Sequence, residues 1–411
     1  MKILLPLCLI LLLVLSSCSS QNAGPHLSSD AWREDLRYLA RELPGHHVNA
    51  FHTVSRETFD AEVARLDAAI PRLNSDEVLV GLMRIVALVG DGHTHLDLPP
   101  NSLRYPFEMQ WFGDELRVIA AQAPYHSAVG SRVLEIGSTP IGEVMNRAIQ
   151  LVPRGENDGR TRFTATAQLT MPEVLHGLGV IVDRANATFA LETATGERTT
   201  ITFSPARFAG FSAWRMATGD KSPLYLQRLA EPWWTELLPD AQTVYFSFNG
   251  YPPDAQFRER AAALAQLLDE SHARRLVIDL RRNQGGDLTQ FRRLLLPVIK
   301  AREAINRKGG LFVITGPGTF SAATINALDL RNEVNAILVG SPTGMRPNHY
   351  GEHGEFRLPN SGFRISYSTQ YYRFGSDTDS AVVPDQRVEP MWTEFRAGRD
   401  PVMEWILSRN N

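Results

Sequence analysis

Cysteine is almost absent from this chain. Only Cys8 and Cys18 occur, so a disulfide framework or a CxxC-type zinc site cannot be built in the body of the protein. Lysine is nearly as scarce, standing only at positions 2, 221, 300 and 308, and arginine carries the remaining basic charge. Arg stays protonated, so it cannot act as a catalytic base. There is no long basic run, and a formal net charge of -3 offers no basic face for nucleic acid. HExxH spacing is missing, and no solenoid-type repeat is present. Beyond the N-terminus no apolar stretch reaches the length of a spanning helix.

What remains is ordinary globular material: 411 residues, 43% hydrophobic and 21% charged. That length exceeds what one core usually organises, so two or three domains are expected. Lys2 followed by the apolar residues 3–15 reads as a signal peptide over 1–17. It ends in Leu15-Ser16-Ser17-Cys18, which resembles a bacterial lipobox, with Cys18 the lipid-modified N-terminus. Residues 18–29 form a polar tether. Ser19 after the Cys fits a protein lipid-anchored in the bacterial envelope, at the outer membrane and facing the periplasm.

Residues 30–100 read as a helical N-terminal domain. Trp32, Leu36 and Leu39 recur at helical spacing, and Asn74-Ser75-Asp76-Glu77 supplies capping chemistry for a helix that stops at Gly90-Asp91-Gly92. Residues 101–205 turn to short alternating runs that predict a small β-rich, PDZ-like region. Over 206–411 buried strands alternate with helices, the pattern of an α/β layer with parallel strands. The fold class expected is α/β, in a multidomain α+β arrangement.

Ser321 follows a buried strand and a Gly/Pro turn at the start of a helix. A serine there presents its hydroxyl beside free backbone N–H groups that suit a developing oxyanion. The same position suits a plain N-cap. Gly285-Gly286 ends another buried strand and allows close approach of a ligand to backbone. His93, flanked by glycines in Gly90-Asp91-Gly92-His93-Thr94-His95, is a residue type that acts as base toward serine. A metal site is the competing reading of His93 and His95 with His46, His47 and His52, but no ligand spacing supports it, and none is expected. Trp233-Trp234 reads as packing, and Asn360-Ser361 and Tyr371-Tyr372 as either a cleft rim or core.

Taken jointly these pieces resemble the serine peptidases of the tail-specific (C-terminal processing) protease and tricorn core family. The matching segments are GDGHTHL at 90–96, RVLEIGSTPI at 132–141, VIDLRRNQGGD at 277–287 and TGPGTFSAAT at 315–324. They continue in family order with VGSPTG at 339–344, LPNSGFRISYST at 358–369 and VVPDQRVEP at 382–390. The resemblance implies a catalytic core of ββα units akin to the crotonase and Clp-protease layer. It implies Ser321 as nucleophile, with backbone N–H groups of Gly285, Gly286 and Ala322 as oxyanion hole. Tail-specific proteases activate Ser with a downstream Lys, yet no Lys follows Ser321, and Arg346 stands about where it would fall. The chain is therefore closer to the tricorn-like branch, whose His comes from the N-terminal domain: His93, with His95 as alternative.

That branch places an acidic residue before the C-terminal Pro-Asp to hold the His. The usual Glu is missing here; Asp379 is expected in its place, with Asp377 and Glu352 as alternatives. The implied activity is hydrolysis of peptide bonds in a polypeptide substrate, with no cofactor. A non-catalytic binding protein for a peptide or hydrophobic ligand, and a non-peptide ester hydrolase, are the rival readings.

Overall fold

The structure, a computed structural model, describes residues 27–409 apart from 208–209, 211–213 and 240–241. The signal peptide, Cys18 and most of the expected tether lie outside the described residues. Among those described, no helix is long and apolar enough to cross a membrane.

Two hydrophobic bodies organise the chain. The first begins with helix Ser29–His46, capped by Ser28 and burying Trp32, Leu36, Leu39 and Leu43 along one face. Helix Ser75–Ala87 opens on a capping box between Asn74 and Glu77 and is buried almost all round. It stops where Gly90 takes φ +89°. A side chain at Gly90 would sit 2.3 Å from Thr53 Oγ1, while that hydroxyl donates to the last carbonyls of the helix, Leu88 O and Val89 O. Against these helices lies an antiparallel sheet running Phe107–Phe112, Glu115–Gln122, Arg132–Ile136, Ala187–Glu192 and Arg198–Phe203, with Thr139–Pro140 and Trp214–Met216 attached at its side.

The helices of 30–100 and the strands of 101–205 share one continuous core, because neither layer covers its apolar face alone. That core also takes in Leu358, Phe363 and Ile365 from far down the chain. Ile365 belongs to, and Leu358 and Phe363 flank the turn of, a three-stranded antiparallel sheet in which His95–Asp97 pairs with Arg364–Tyr372, and Arg364–Tyr372 with His349–Arg357. Strand Trp214–Met216 pairs with Glu115–Gln122, so the first body also reaches past residue 205.

The second body is a six-stranded sheet in the order Gln386–Arg387, Ile337–Gly340, Leu311–Thr315, Arg275–Asp279, Thr243–Phe248, Trp233–Leu238. All neighbours are parallel except Trp233–Leu238, which runs antiparallel at the edge. Alternate side chains serve opposite faces. Val244, Phe246, Ile278 and Val313 meet helices Asp254–Glu270 and Ala322–Glu333, whereas Tyr245, Val277, Phe312 and Ile314 meet the C-terminal helix Pro401–Leu407. Trp233 and Trp234 are both buried, one on each face, so this pair is core. After Arg275–Asp279 the expected helix widens into a π-type turn at Phe291–Leu295, immediately before Pro297, which has no N–H to continue the regular ladder.

Candidate active site

The Ser321 turn and the Gly285-Gly286 turn are wired to each other at the carboxyl ends of adjacent parallel strands. Thr319 Oγ1 donates to Leu280 O at 2.8 Å, and Phe320 N–H donates to Asn283 O at 3.0 Å. These bonds hold Ser321 at φ 51°, ψ -131°, a left-handed backbone position that costs a non-glycine residue roughly 1–3 kcal/mol. Ser321 precedes helix Ala322–Glu333 but makes no side-chain capping bond. Its hydroxyl turns instead to His93, with Oγ 2.9 Å from Nε2. The two residues are 228 apart in sequence and come from the two different bodies.

Gly285 carries φ +101°, and a Cβ there would lie 2.5 Å from Ser321 Cβ and 3.0 Å from Ala322 N. Only glycine lets this turn close over the nucleophile. Of the expected oxyanion donors, Gly285 is already engaged: its N–H donates to Asn283 Oδ1 at 2.9 Å. The N–H groups of Gly286 and Ala322 have no hydrogen-bond acceptor among the described residues. Gly286 is exposed, Ser321 half-buried and Ala322 buried.

His93 is 3% exposed. It lies in the loop between Ser75–Ala87 and His95–Asp97, and its ring packs against Phe320 at 4.8 Å, His353 at 5.2 Å and His349 at 5.9 Å. Burial pushes its pKa down to about 3, against an upward pull from Asp91, and the neighbouring histidines push the same way as burial. The ring is thus uncharged at neutral pH and able to accept a proton. Accepting the Ser321 proton at Nε2 requires the ring proton on Nδ1, which has no partner among the described residues.

Asp91 holds the loop from behind. Its Oδ1 accepts His93 N–H at 3.0 Å and the Ser368 hydroxyl at 2.8 Å, and its Oδ2 lies 2.8 Å from His47 Nε2. Asn49 N–H donates to His47 Nδ1, so the His47 ring proton sits on Nε2 and points at the carboxylate. Burial alone would push the Asp91 carboxyl up; the hydrogen bonds from His47 and Ser368 work against it, and the group is held down at about 2.

The structure does not bring the expected third member to the base. Asp379 is exposed and folds back on its own turn, with Oδ2 accepting Ser376 N–H at 2.9 Å. Asp377 takes the Asn348 amide at 2.7 Å, and exposed Glu352 takes the Tyr372 hydroxyl at 3.0 Å. A carboxylate reaches His93 only through the backbone, from Asp91. Accordingly Asp379→Asn is expected to leave acylation within about twofold of wild type, as for other surface changes, with an unmoved pH profile. A pH–rate series on that variant checks this; a shifted profile would restore Asp379 to the site.

The remaining candidates are placed as follows. His95 Nε2 lies 3.2 Å from Asp97 Oδ1, and His93 is the histidine in hydrogen-bond contact with Ser321. His46 faces Glu42, and His52 bonds Asn49 O. Among the described residues no three His, Cys, Asp or Glu side chains converge to hold a metal ion. Asn360 and Ser361 donate their backbone N–H groups to buried Asp35, which makes that segment a structural turn. Asp91, Phe320, His349, His353 and Glu156 at this site escaped the sequence reading. Of these, Asp91 and Glu156 had a local signal, a carboxylate amid glycines in Gly90-Asp91-Gly92 and in Gly155-Glu156-Asn157-Asp158-Gly159.

A parallel sheet carrying a strained serine beside a buried imidazole defines the class as a serine-type hydrolase. Residues 245–388, about a third of the chain and most of the parallel-sheet body, match the model of peptidase family S41. This is the tail-specific and tricorn family whose motifs the sequence resembles. Mature CPAF shares the fold, with a TM-score of 0.60 at 13% identity over 92% of this chain and 96% of that one. Mature CPAF complexed with lactacystin overlays with a TM-score of 0.62 at 13% identity, over 92% of this chain and 97% of that chain. The tricorn protease overlays at a TM-score of 0.41 and 13% identity, over 92% of this chain and 36% of that one. No curated protein matches the sequence.

Proposed function

We propose that this protein cleaves peptide bonds through an acyl-enzyme on Ser321, with His93 as the base. The observation that carries the reading is the 2.9 Å contact between His93 Nε2 and Ser321 Oγ, made across two bodies by a serine that caps nothing. His93 Nε2 takes the hydroxyl proton as Oγ attacks the scissile carbonyl carbon. The oxyanion moves toward the N–H groups of Gly286 and Ala322. The imidazolium then gives its Nε2 proton to the leaving amine, the C–N bond breaks, and the acyl group stays on Oγ. Water, deprotonated by the same imidazole, releases the acid and restores Ser321. With no carboxylate at Nδ1, the imidazolium depends on the nearby Asp91 charge for support. These steps use a Ser-His pair and call on no cofactor.

Rapid mixing with an activated ester and, in parallel, a labelled casein digest test the reading. A burst near one acyl group per chain together with casein cleavage supports it. A binding protein on this fold would give no burst, and an ester hydrolase would give a burst without cleaving casein.

The leader supports a place in the envelope: an apolar run ending in Leu15-Ser16-Ser17-Cys18 suits lipidation of Cys18 and anchoring at the outer membrane, facing the periplasm. Cys18→Ser is expected to move the protein from the membrane pellet to the soluble fraction. Persistence in the pellet after a salt wash would remove the anchor from the account.

A further inference from the structure

Between the helical turn Ile149–Leu151 and helix Asp158–Gln168 the chain passes through residues 153–157, and this short segment touches both the loop that carries His93 and the segments that follow strand Ile337–Gly340. Gly155 crosses the base loop so closely that an added Cβ would lie 1.5 Å from Gly90 O. Glu156, 8% exposed, accepts Gly92 N–H on Oε1 at 3.1 Å and Arg346 N–H on Oε2 at 3.3 Å. Asn157 Nδ2 donates to Thr343 O at 2.8 Å and Ser380 O at 3.1 Å. One turn on, the Arg160 guanidinium lies 4.0 Å over the Phe320 ring and donates to Gln284 Oε1 at 2.8 Å. Phe320 is the residue before the nucleophile and also packs on His93.

Buried carboxylates are normally paired with a cation, because an unpaired buried charge is costly. Among the described residues Glu156 has no ion-pair partner; its polar contacts are two backbone N–H groups from opposite sides of the interface between the bodies. We infer that Glu156 is a positioning residue: its carboxylate bridges Gly92, one residue before the base, to Arg346 of the segment leaving the parallel sheet, and so sets His93 against Ser321. This rests on the Ser321–His93 reading above.

The bridge needs both oxygens as acceptors. Protonation converts one of them to an O–H donor, and one of the two N–H bonds is lost. Burial pushes the Glu156 pKa up to about 7, the backbone N–H groups of Gly92 and Arg346 work downward, and the charged groups facing it are Asp91 on the base loop, Arg346, and Arg160 on the following helix. Acylation should therefore rise with pH through about 7 as the bridge forms. Burial pushes His93 well below its ordinary value, away from that rise, and the Glu156→Gln variant separates the two groups.

The test is the acylation rate with p-nitrophenyl acetate between about pH 5.5 and 9, for wild type, Glu156→Gln and Glu156→Asp. The amide of Gln can accept only one of the two N–H groups, so acylation at high pH should fall about tenfold, the cost of one charge-assisted bond, and the limb near 7 should vanish. Asp keeps a carboxylate and should retain a limb. A limb that persists unchanged in Glu156→Gln overturns the inference. Hydrogen exchange of the 90–95 peptide, corrected for intrinsic rate, gives a readout independent of activity and of the variants' folding. Protection in wild type should be higher at pH 8 than at pH 6, and equal protection also overturns the inference. If wild type forms no acyl-enzyme, the acyl-enzyme reading fails, and the exchange data still decide whether Glu156 fastens the loop.

Discussion

Ser321→Ala and His93→Ala are each expected to slow acylation by roughly ten-thousand-fold or more, and the double variant to be little worse than either alone. The reason is the single hydrogen bond at 2.9 Å: without Oγ there is nothing to acylate, and without Nε2 the hydroxyl keeps its proton. Groups that act as a unit lose their effect together, so the losses should not multiply. His95→Ala is the matching control. That ring is partly exposed and faces Asp97 Oδ1 at 3.2 Å, so the variant should acylate at close to the wild-type rate. A dead His95→Ala beside an active His93→Ala would reverse the assignment of the base.

Gly285→Ala should be nearly as damaging, by another route. A residue at φ +101° pays for any Cβ with backbone strain, and here the Cβ would stand 2.5 Å from Ser321 Cβ and 3.0 Å from Ala322 N. Relief requires moving either the nucleophile or the Ala322 N–H, and removal of one oxyanion donor alone costs about a hundredfold to a thousandfold in rate. Stability should fall by about 1–3 kcal/mol for the strained backbone. The measurements are the acylation rate and the urea unfolding midpoint of the same preparation. Full activity in Gly285→Ala would show that the turn does not close over Ser321 as described.

Ser321 and His93 stand out as candidates in the sequence because their surroundings are local: a buried strand, a Gly/Pro turn and a helix start for one, a glycine-flanked loop after a capped helix for the other. The parallel sheet was legible for the same reason, since its strands and helices alternate in simple runs. The union of the helical and β-rich regions was not. It depends on pairings such as His95 with Ser366, and on burial of Phe363 and Ile365 against helices over 250 residues away, which no local period encodes. Asp379 was sought as an acidic residue near the C-terminal Pro-Asp, but proximity in sequence said nothing of its turn, where Ser376 N–H captures it. Gly285 stood among the oxyanion donors because the family resemblance implies it; the Asn283 side chain two residues earlier takes its N–H. Glu156 drew no attention because its partners, Gly92 N–H and Arg346 N–H, are backbone atoms that every residue but proline carries.

The most direct test of the Ser321–His93 pair is labelling of the folded protein with a fluorophosphonate, followed by mass-spectrometric mapping of the adduct. A phosphonylated serine requires an activated hydroxyl, which an N-cap or a buried structural serine does not have. One adduct is expected, on the peptide containing Ser321, absent from Ser321→Ala and strongly reduced in His93→Ala. An adduct on another residue, or none on folded wild-type protein, would contradict the account.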